Sequence, residues 1–197
     1  MPPDGPPRKW NFHGGFPPAE WCRVKVSHYP VQPGFFAGEY PGHADPETAR
    51  SRLLELAGQG VQAYIDLTTP QDRALGLQPY DVHFEEIHAA TGIRPVRHSF
   101  GIVDMGLPSD LAQTRSVLDL IQRELAAGRS CYVHCWGGIG RTGTVVGCWL
   151  RDMGLDGETA LAEVQRLYSS HMPAEKLARN PNSPQRPAQM RYVRNWR

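Results

Sequence analysis

The run Ser130–Gly147, SCYVHCWGGIGRTGTVVG, constrains the fold most strongly. Ser130 to His134 is a short apolar stretch of the kind found in buried strands. Gly137, Gly138 and Gly140 follow within a few residues, and a helix-type pattern then runs from about Arg141 to Asp152. A strand that turns through glycines straight into a helix is half of a βα unit, and such units build parallel sheets.

The punctuation upstream agrees. Asp45 followed by Pro46 reads as a helix cap and first turn, and that helix stops at Gly58. Val61–Leu67 reads as a strand with a loop, Thr68–Asp72, at its C-terminal end. Pro79–Ala90 is weakly helical, Arg94–Phe100 is a further strand, and Gly101–Pro108 is a Gly/Pro loop. Asp110 and Gln113 form a capping pair before a helix whose inward stripe is Leu111, Val117, Leu118, Ile121 and Leu125, ending at Gly128. Asp156 caps another helix, and Gln185–Trp196 forms a last short one. Arg23–Val26 and Gly34–Ala37 read as a hairpin or two edge strands. The expected architecture is α/β: a largely parallel twisted sheet of about five strands, with helices on both faces. Residues 1–9 are Pro-rich and read as a disordered tail; 10–197 reads as a single domain.

Ligands of such sheets bind beyond the carboxyl ends of the strands. Three loops share that edge: Thr68–Asp72, Gly101–Pro108 and Cys135–Arg141. In the last, Trp136, Gly137, Gly138, Ile139 and Gly140 can turn successive N–H groups inward as an anion nest, and the following helix adds its positive end. Arg141 supplies a planar fork for two phosphate oxygens. Donors that hold an anion also favour a thiolate over a thiol, so Cys135 at the floor of this cradle is expected to react as its thiolate.

HCWGGIGRTG resembles the His-Cys-x5-Arg-Thr signature of the cysteine-based protein tyrosine phosphatases, and IVDMGLPSD resembles the general-acid loop of their dual-specificity branch. The nearest likeness is to the kinase-associated phosphatases and their bacterial relatives. The resemblance implies Cys135 as nucleophile through a phosphocysteine, Arg141 as phosphate ligand, Thr142 as a hydrogen-bond donor to the sulfur, and His134 as a brace for the loop. The leaving oxygen needs a proton donor. Of Asp104, Asp110 and Asp119, the last sits within a helix and Asp110 serves as its cap, which leaves Asp104. SPQRPAQMRYVRNW resembles the segment that positions the hydrolytic water, with Gln185 and Gln189 as candidates; Gln189 fits the bacterial pattern better. The implied substrate is phosphotyrosine in protein, with phosphoserine or phosphothreonine also open. No Lys or Arg lies between Cys135 and Arg141, which argues against polyphosphorylated inositols.

Other readings fit less well. Gly138, Gly140 and Gly143 match a dinucleotide fingerprint, but Gly138 comes late after the strand and too little chain remains for a second nucleotide half. A non-catalytic phosphoprotein-binding module would lack the nucleophile, the arginine or the acid. A sulfurtransferase is disfavoured by Asp104 and by the Arg141–Thr142 helix start. Cys131, His134, Cys135 and Cys148 are not expected to form a metal cluster, because His134 faces away from its neighbours on the strand. Cys131 and Cys148 read as core residues, with a disulfide to Cys135 as the alternative. No cofactor or metal is expected. The net charge of +1 from 21 basic and 20 acidic residues is too balanced for a nucleic-acid or membrane-surface binder. The Thr144–Leu150 stretch is too short to span a bilayer, and MPPDGPPRKW lacks the apolar core of an export signal. A reducing cytoplasm is the expected compartment.

Overall fold

A computed structural model of the chain describes residues 25–197. Cys22 and the proposed 1–9 tail lie outside them, as do Arg23 and Val24 of the first strand-like run. The hairpin is formed by β1 (His28–Gln32) and β2 (Phe35–Gly38). Lys25 and Val26 are not in a strand, and the first strand among the described residues is β1. The Pro33–Gly34 turn explains this. Gly34 has φ 78°, the conformation required at the third position of a type II turn, and pairing therefore starts at Gln32 and Phe35 beside the turn.

The rest of the sheet is parallel: β2 pairs with β5 (Ser130–His134), β5 with β3 (Val61–Asp66), and β3 with β4 (Val96–Ser99), in the order β1-β2-β5-β3-β4. Helix α1 spans Pro46–Gly58, capped by Asp45 as its sequence requires. Thr68–Asp72 is not a plain loop. It runs into α2 (Pro70–Ala74), a single helical turn started by a Thr69–Asp72 capping box with Pro70 in its first turn. The Pro79–Ala90 region divides into a 3-10 turn, Asp81–His83, and α3, Phe84–Thr91. Then follow α4 (Leu111–Ala126), α5 (Gly140–Asp152), α6 (Gly157–His171), α7 (Ala174–Arg179), which sequence reading missed, and α8 (Pro187–Asn195).

Alternation along the strands sorts their side chains onto two faces. Ala63, Ile65, Cys131 and Val133 pack with Val117, Leu118 and Ile121 of α4 and with α5, α6 and α8. Tyr64 and Tyr132 pack with Leu53 and Leu56 of α1 and Ile87 of α3, and the irregularity between Val61 and Ala63 puts Val61 with them. Leu111 departs from the expected stripe: it occupies the first position of α4 and is 65 % exposed, and the buried face starts at Thr114. Among the described residues no helix is long and apolar enough to cross a membrane.

Candidate active site

The C-terminal ends of β3, β5 and β4 deliver their loops to one edge of the sheet. β5 ends at His134, the loop turns at once through Cys135–Ile139, and α5 begins at Gly140. The turn depends on Gly138. It has φ 72°, and a Cβ there would lie 2.3 Å from the carbonyl carbon of Gly38. Only glycine lets the loop press this closely on the end of β2. Three further bonds hold the loop from outside: Tyr40 N–H donates to the Trp136 carbonyl at 2.9 Å, Leu67 N–H to that of His134 at 2.9 Å, and the Ser183 hydroxyl to that of Ile139 at 2.9 Å.

The inside of the loop is left polar and unmatched. The N–H groups of Trp136, Gly137, Gly138 and Ile139 find no acceptor among the described residues, and the first N–H groups of α5 have none within the helix. Such a run of free donors at a helix start is a site for an anion. Cys135 lines the cavity, 3 % exposed and not in a disulfide. Trp136 is not among the residues that line the cavity; its side chain is 38 % exposed.

Arg141 is 2 % exposed and held by carboxylates. Its Nη1 donates to Asp72 Oδ2 at 2.8 Å and to the Ile102 carbonyl at 3.0 Å, and its Nη2 donates to Asp72 Oδ1 at 3.1 Å and lies 2.9 Å from Asp104 Oδ1. Burial alone would raise the Asp72 carboxyl; the Arg141 guanidinium and the Thr69 N–H and hydroxyl outweigh it and hold it below the usual range. Burial would likewise lower Arg141, but Asp72, Cys135 and Asp104 keep it above its ordinary value. Asp72 was not among the residues singled out from sequence. Its signal was there, because Thr69-Pro70-Gln71-Asp72 reads as a helix start, but nothing local says that this cap also grips an arginine 69 positions later.

Asp104 comes from a β-turn, Val103–Gly106, closed by a 2.9 Å bond between the Gly106 N–H and the Val103 carbonyl. Met105 occupies the turn position with φ 60°, the one non-glycine left-handed residue among those described. This costs on the order of 1–3 kcal/mol, and the turn carries the Asp104 carboxylate to the arginine. Asp110, by contrast, accepts from the Gln113 N–H as the cap of α4, and Asp119 sits on that helix.

The start of α8 closes the site. Gln185 and Gln189 both pack on Gly140: a Cβ there would meet the Gln189 amide at 3.0 Å and the Gln185 Cγ at 3.2 Å. Gln185 lines the cavity and its Nε2 lies 2.8 Å from the Met105 sulfur. Gln189 is fully buried, donating to the Gly106 carbonyl at 3.0 Å. The cavity itself has a volume of about 30 Å³ and is lined by Asp104, Cys135, Gly137, Ile139, Arg141 and Gln185, among others. The Thr142 hydroxyl is buried without a hydrogen-bond partner.

Of the other cysteines, Cys131 and Cys148 are buried in the helix-side core. Burial pushes the Cys131 thiol up to about 12 and raises that of Cys148 further. His134 lies on the opposite face, stacked on Tyr132 and in edge contact with Tyr40 and Tyr80.

Comparison with known proteins adds a family. A family model described as "Polymorphic toxin system, DSP-PTPase phosphatase" matches residues 40–154, which include Asp72, Asp104 and the whole Cys135–Arg141 loop. No curated protein matches the chain. Among solved structures, Tk-PTP in a mutant form is 21 % identical with a TM-score of 0.64, covering 86 % of this chain and 93 % of that one. Kinase-associated phosphatase, with its catalytic cysteine replaced by serine, is 18 % identical with a TM-score of 0.61, covering 87 % and 93 %. PTPMT1 in complex with PI(5)P is 19 % identical with a TM-score of 0.60, covering 86 % and 94 %. At these identities the likeness establishes a shared fold.

Proposed function

Because the chain belongs to the DSP-PTPase phosphatase family of polymorphic toxin systems, we propose that it hydrolyses phosphomonoesters, phosphotyrosine in protein first among them, through a phosphocysteine on Cys135. The observation that carries this reading is that Cys135, Arg141 and Asp104 line one small cavity floored by unpaired amides.

A cavity of about 30 Å³ has room for a water or two. An entering phosphate therefore takes the Arg141 edge now held by Asp104 and frees that carboxylate. The Cys135 sulfur attacks phosphorus as the bond from phosphorus to the ester oxygen breaks. The amides and Arg141 stabilise the equatorial oxygens, where negative charge spreads. Asp104, in its acid form, gives its proton to the leaving oxygen. In the second step a water attacks phosphorus, Asp104 takes its proton, and the sulfur–phosphorus bond breaks. The unpartnered Thr142 hydroxyl can then donate to the departing sulfur. Of the two glutamines, Gln185 is the one at the cavity and so the one to orient this water; Gln189 holds α8 to the Asp104 loop.

The loop brings no cation besides Arg141, which favours a monophosphate over a headgroup with several phosphates. The exposed Met105, which lines the cavity, suits an aromatic or apolar leaving group. The free thiols of Cys131, Cys135 and Cys148 suit a reducing cytoplasm. The deciding experiment compares wild type with Cys135→Ser on para-nitrophenyl phosphate and on matched phosphotyrosine and phosphothreonine peptides. Turnover is lost in Cys135→Ser while vanadate still binds. Retained turnover refutes the nucleophile, and wild-type vanadate binding without turnover makes the protein a phosphate-binding module.

A further inference from the structure

Behind the phosphate loop lies a charge pair, its acid fully buried and its base partly so, that the reaction above does not use. Asp66 ends β3 directly beside His134, its register partner on β5, and is completely buried. A bare carboxylate at that place would be costly, and Arg97 of β4 answers it. Both Arg97 Nε and Nη2 donate to Asp66 Oδ2, at 2.9 and 2.6 Å. Asp66 Oδ1 accepts the Thr68 N–H at 2.7 Å and lies 3.9 Å from His134 Nδ1. The Arg97 guanidinium also sits 5.4 Å over the Tyr80 ring, and the Tyr80 hydroxyl lies 2.8 Å from His134 Nε2. The four side chains thus close a ring behind Cys135.

The proton positions in this ring follow from its surroundings. Burial outweighs the attraction of Asp66 and lowers His134 from 6.5 to about 4, so the imidazole is neutral at pH 7. Burial and the Asp66 charge push Tyr80 well above the ordinary tyrosine range, so it stays a phenol. Its hydroxyl has one acceptor in reach, His134 Nε2, and donates to it. The imidazole hydrogen is then on Nδ1, facing Asp66 Oδ1 and the Cys135 carbonyl at 3.4 Å. The other groups around the ring are few. Tyr40 and Tyr132 contribute neutral rings, Arg141 acts from α5, and Arg73 reaches Tyr40 from α2. Asp81 takes a second bond from Arg97, at 3.2 Å, from a more exposed position.

We propose that Asp66 and Arg97 are positioning residues for Cys135. The Asp66 charge favours the His134 tautomer that Tyr80 sets and that braces the phosphate loop, and Arg97 cancels the Asp66 charge so that no net negative field disfavours the thiolate. The inference deepens the phosphatase reading and rests on it. Its signature is one of opposite signs. Arg97→Met leaves a carboxylate unbalanced and makes Cys135 harder to ionise. Asp66→Asn leaves the guanidinium with only the more exposed Asp81 opposite it and makes Cys135 easier to ionise. Damage to packing would move both variants the same way.

The test follows alkylation of Cys135 by iodoacetamide as a function of pH in the full chain, read by mass on the Cys135 peptide. One unbalanced charge in a protein interior is expected to move the midpoint by about one pH unit. Arg97→Met moves it up and Asp66→Asn moves it down by about that much. The double variant returns to wild type, and Arg97→Lys, which keeps the charge, stays there. If Arg97→Met does not fold, Asp66→Asn and Arg97→Lys carry the comparison. Unchanged midpoints, or shifts in one direction only, overturn the inference. Turnover retained in Cys135→Ser would instead overturn the nucleophile reading, and it leaves these midpoints as they are.

Discussion

Acid should weaken this fold through one histidine. His134 is fully buried and its ordinary value of 6.5 falls to about 4, burial being the main cause. The unfolded chain therefore takes up the proton first. The contribution of His134 to stability is complete above about pH 6.5 and is lost as the pH falls toward 4. At about 1.4 kcal/mol per pH unit this amounts to about 3 kcal/mol between pH 7 and pH 4, a large share of the roughly 5–15 kcal/mol typical of a domain. Asp66 and Asp72 also favour the folded state, but both lie below 3.8, so what they contribute is lost only at lower pH. His134 dominates the window from 6.5 to 4; Glu86, Glu124, Glu158 and Glu163, held below their ordinary 4.5 by arginine partners near the surface, add only small losses at its lower end, common to wild type and variant. Urea unfolding followed by tryptophan fluorescence at several pH values measures it. Wild type should lose about 3 kcal/mol across the window. His134→Gln should start lower at pH 7, having lost part of its Tyr80 contact, but lose little across the same range. Equal losses in the two proteins would mean that His134 accepts its proton in the folded state beside Asp66, and the neutral-imidazole argument would fail.

Three other substitutions test the site. Gly138→Ala drives a Cβ into the Gly38 backbone at a left-handed φ, and should cost at least about 2 kcal/mol in urea unfolding; wild-type stability would show that the loop does not press on β2. Asp72→Asn leaves the buried Arg141 fork half unmatched. It should destabilise by about 3–5 kcal/mol and weaken vanadate binding measured by titration; unaltered stability and binding would make Asp72 dispensable. Asp104→Asn should lower kcat by about 10²–10⁴ on poor leaving groups, much less on para-nitrophenyl phosphate, and flatten the basic limb of the pH profile. An unchanged basic limb would move the acid elsewhere.

The starts of α1, α4 and α6, the parallel sheet and the Cys135–Arg141 loop were legible because each depends on a few neighbours in the chain, whereas α2 and α7, each a turn or two long, were not. Asp45, Asp110 and Asp156 are caps whose donors lie two or three residues on. Asp104 was chosen for the same kind of reason, by removing Asp110 and Asp119 to local roles. The first strand was misplaced because its residues are no more strand-like than their neighbours, and the Pro33–Gly34 turn sets the pairing. Leu111 was misread because helical spacing identifies a face but not how far along the helix the rest of the molecule covers it.

What the amino-acid order determined by itself was a glycine-rich turn between a buried strand and a helix, with a thiol at its start and a guanidinium at its end, since turn, cap and helix start are all interactions of short range. Which carboxylates meet that guanidinium was decided only in three dimensions. Asp72, Asp104 and Arg141 belong to three segments, and Asp66, Arg97 and His134 to three adjacent strands. These charges hold one another in place through contacts that exist only after the strands have paired, so no pattern along the chain could reveal them.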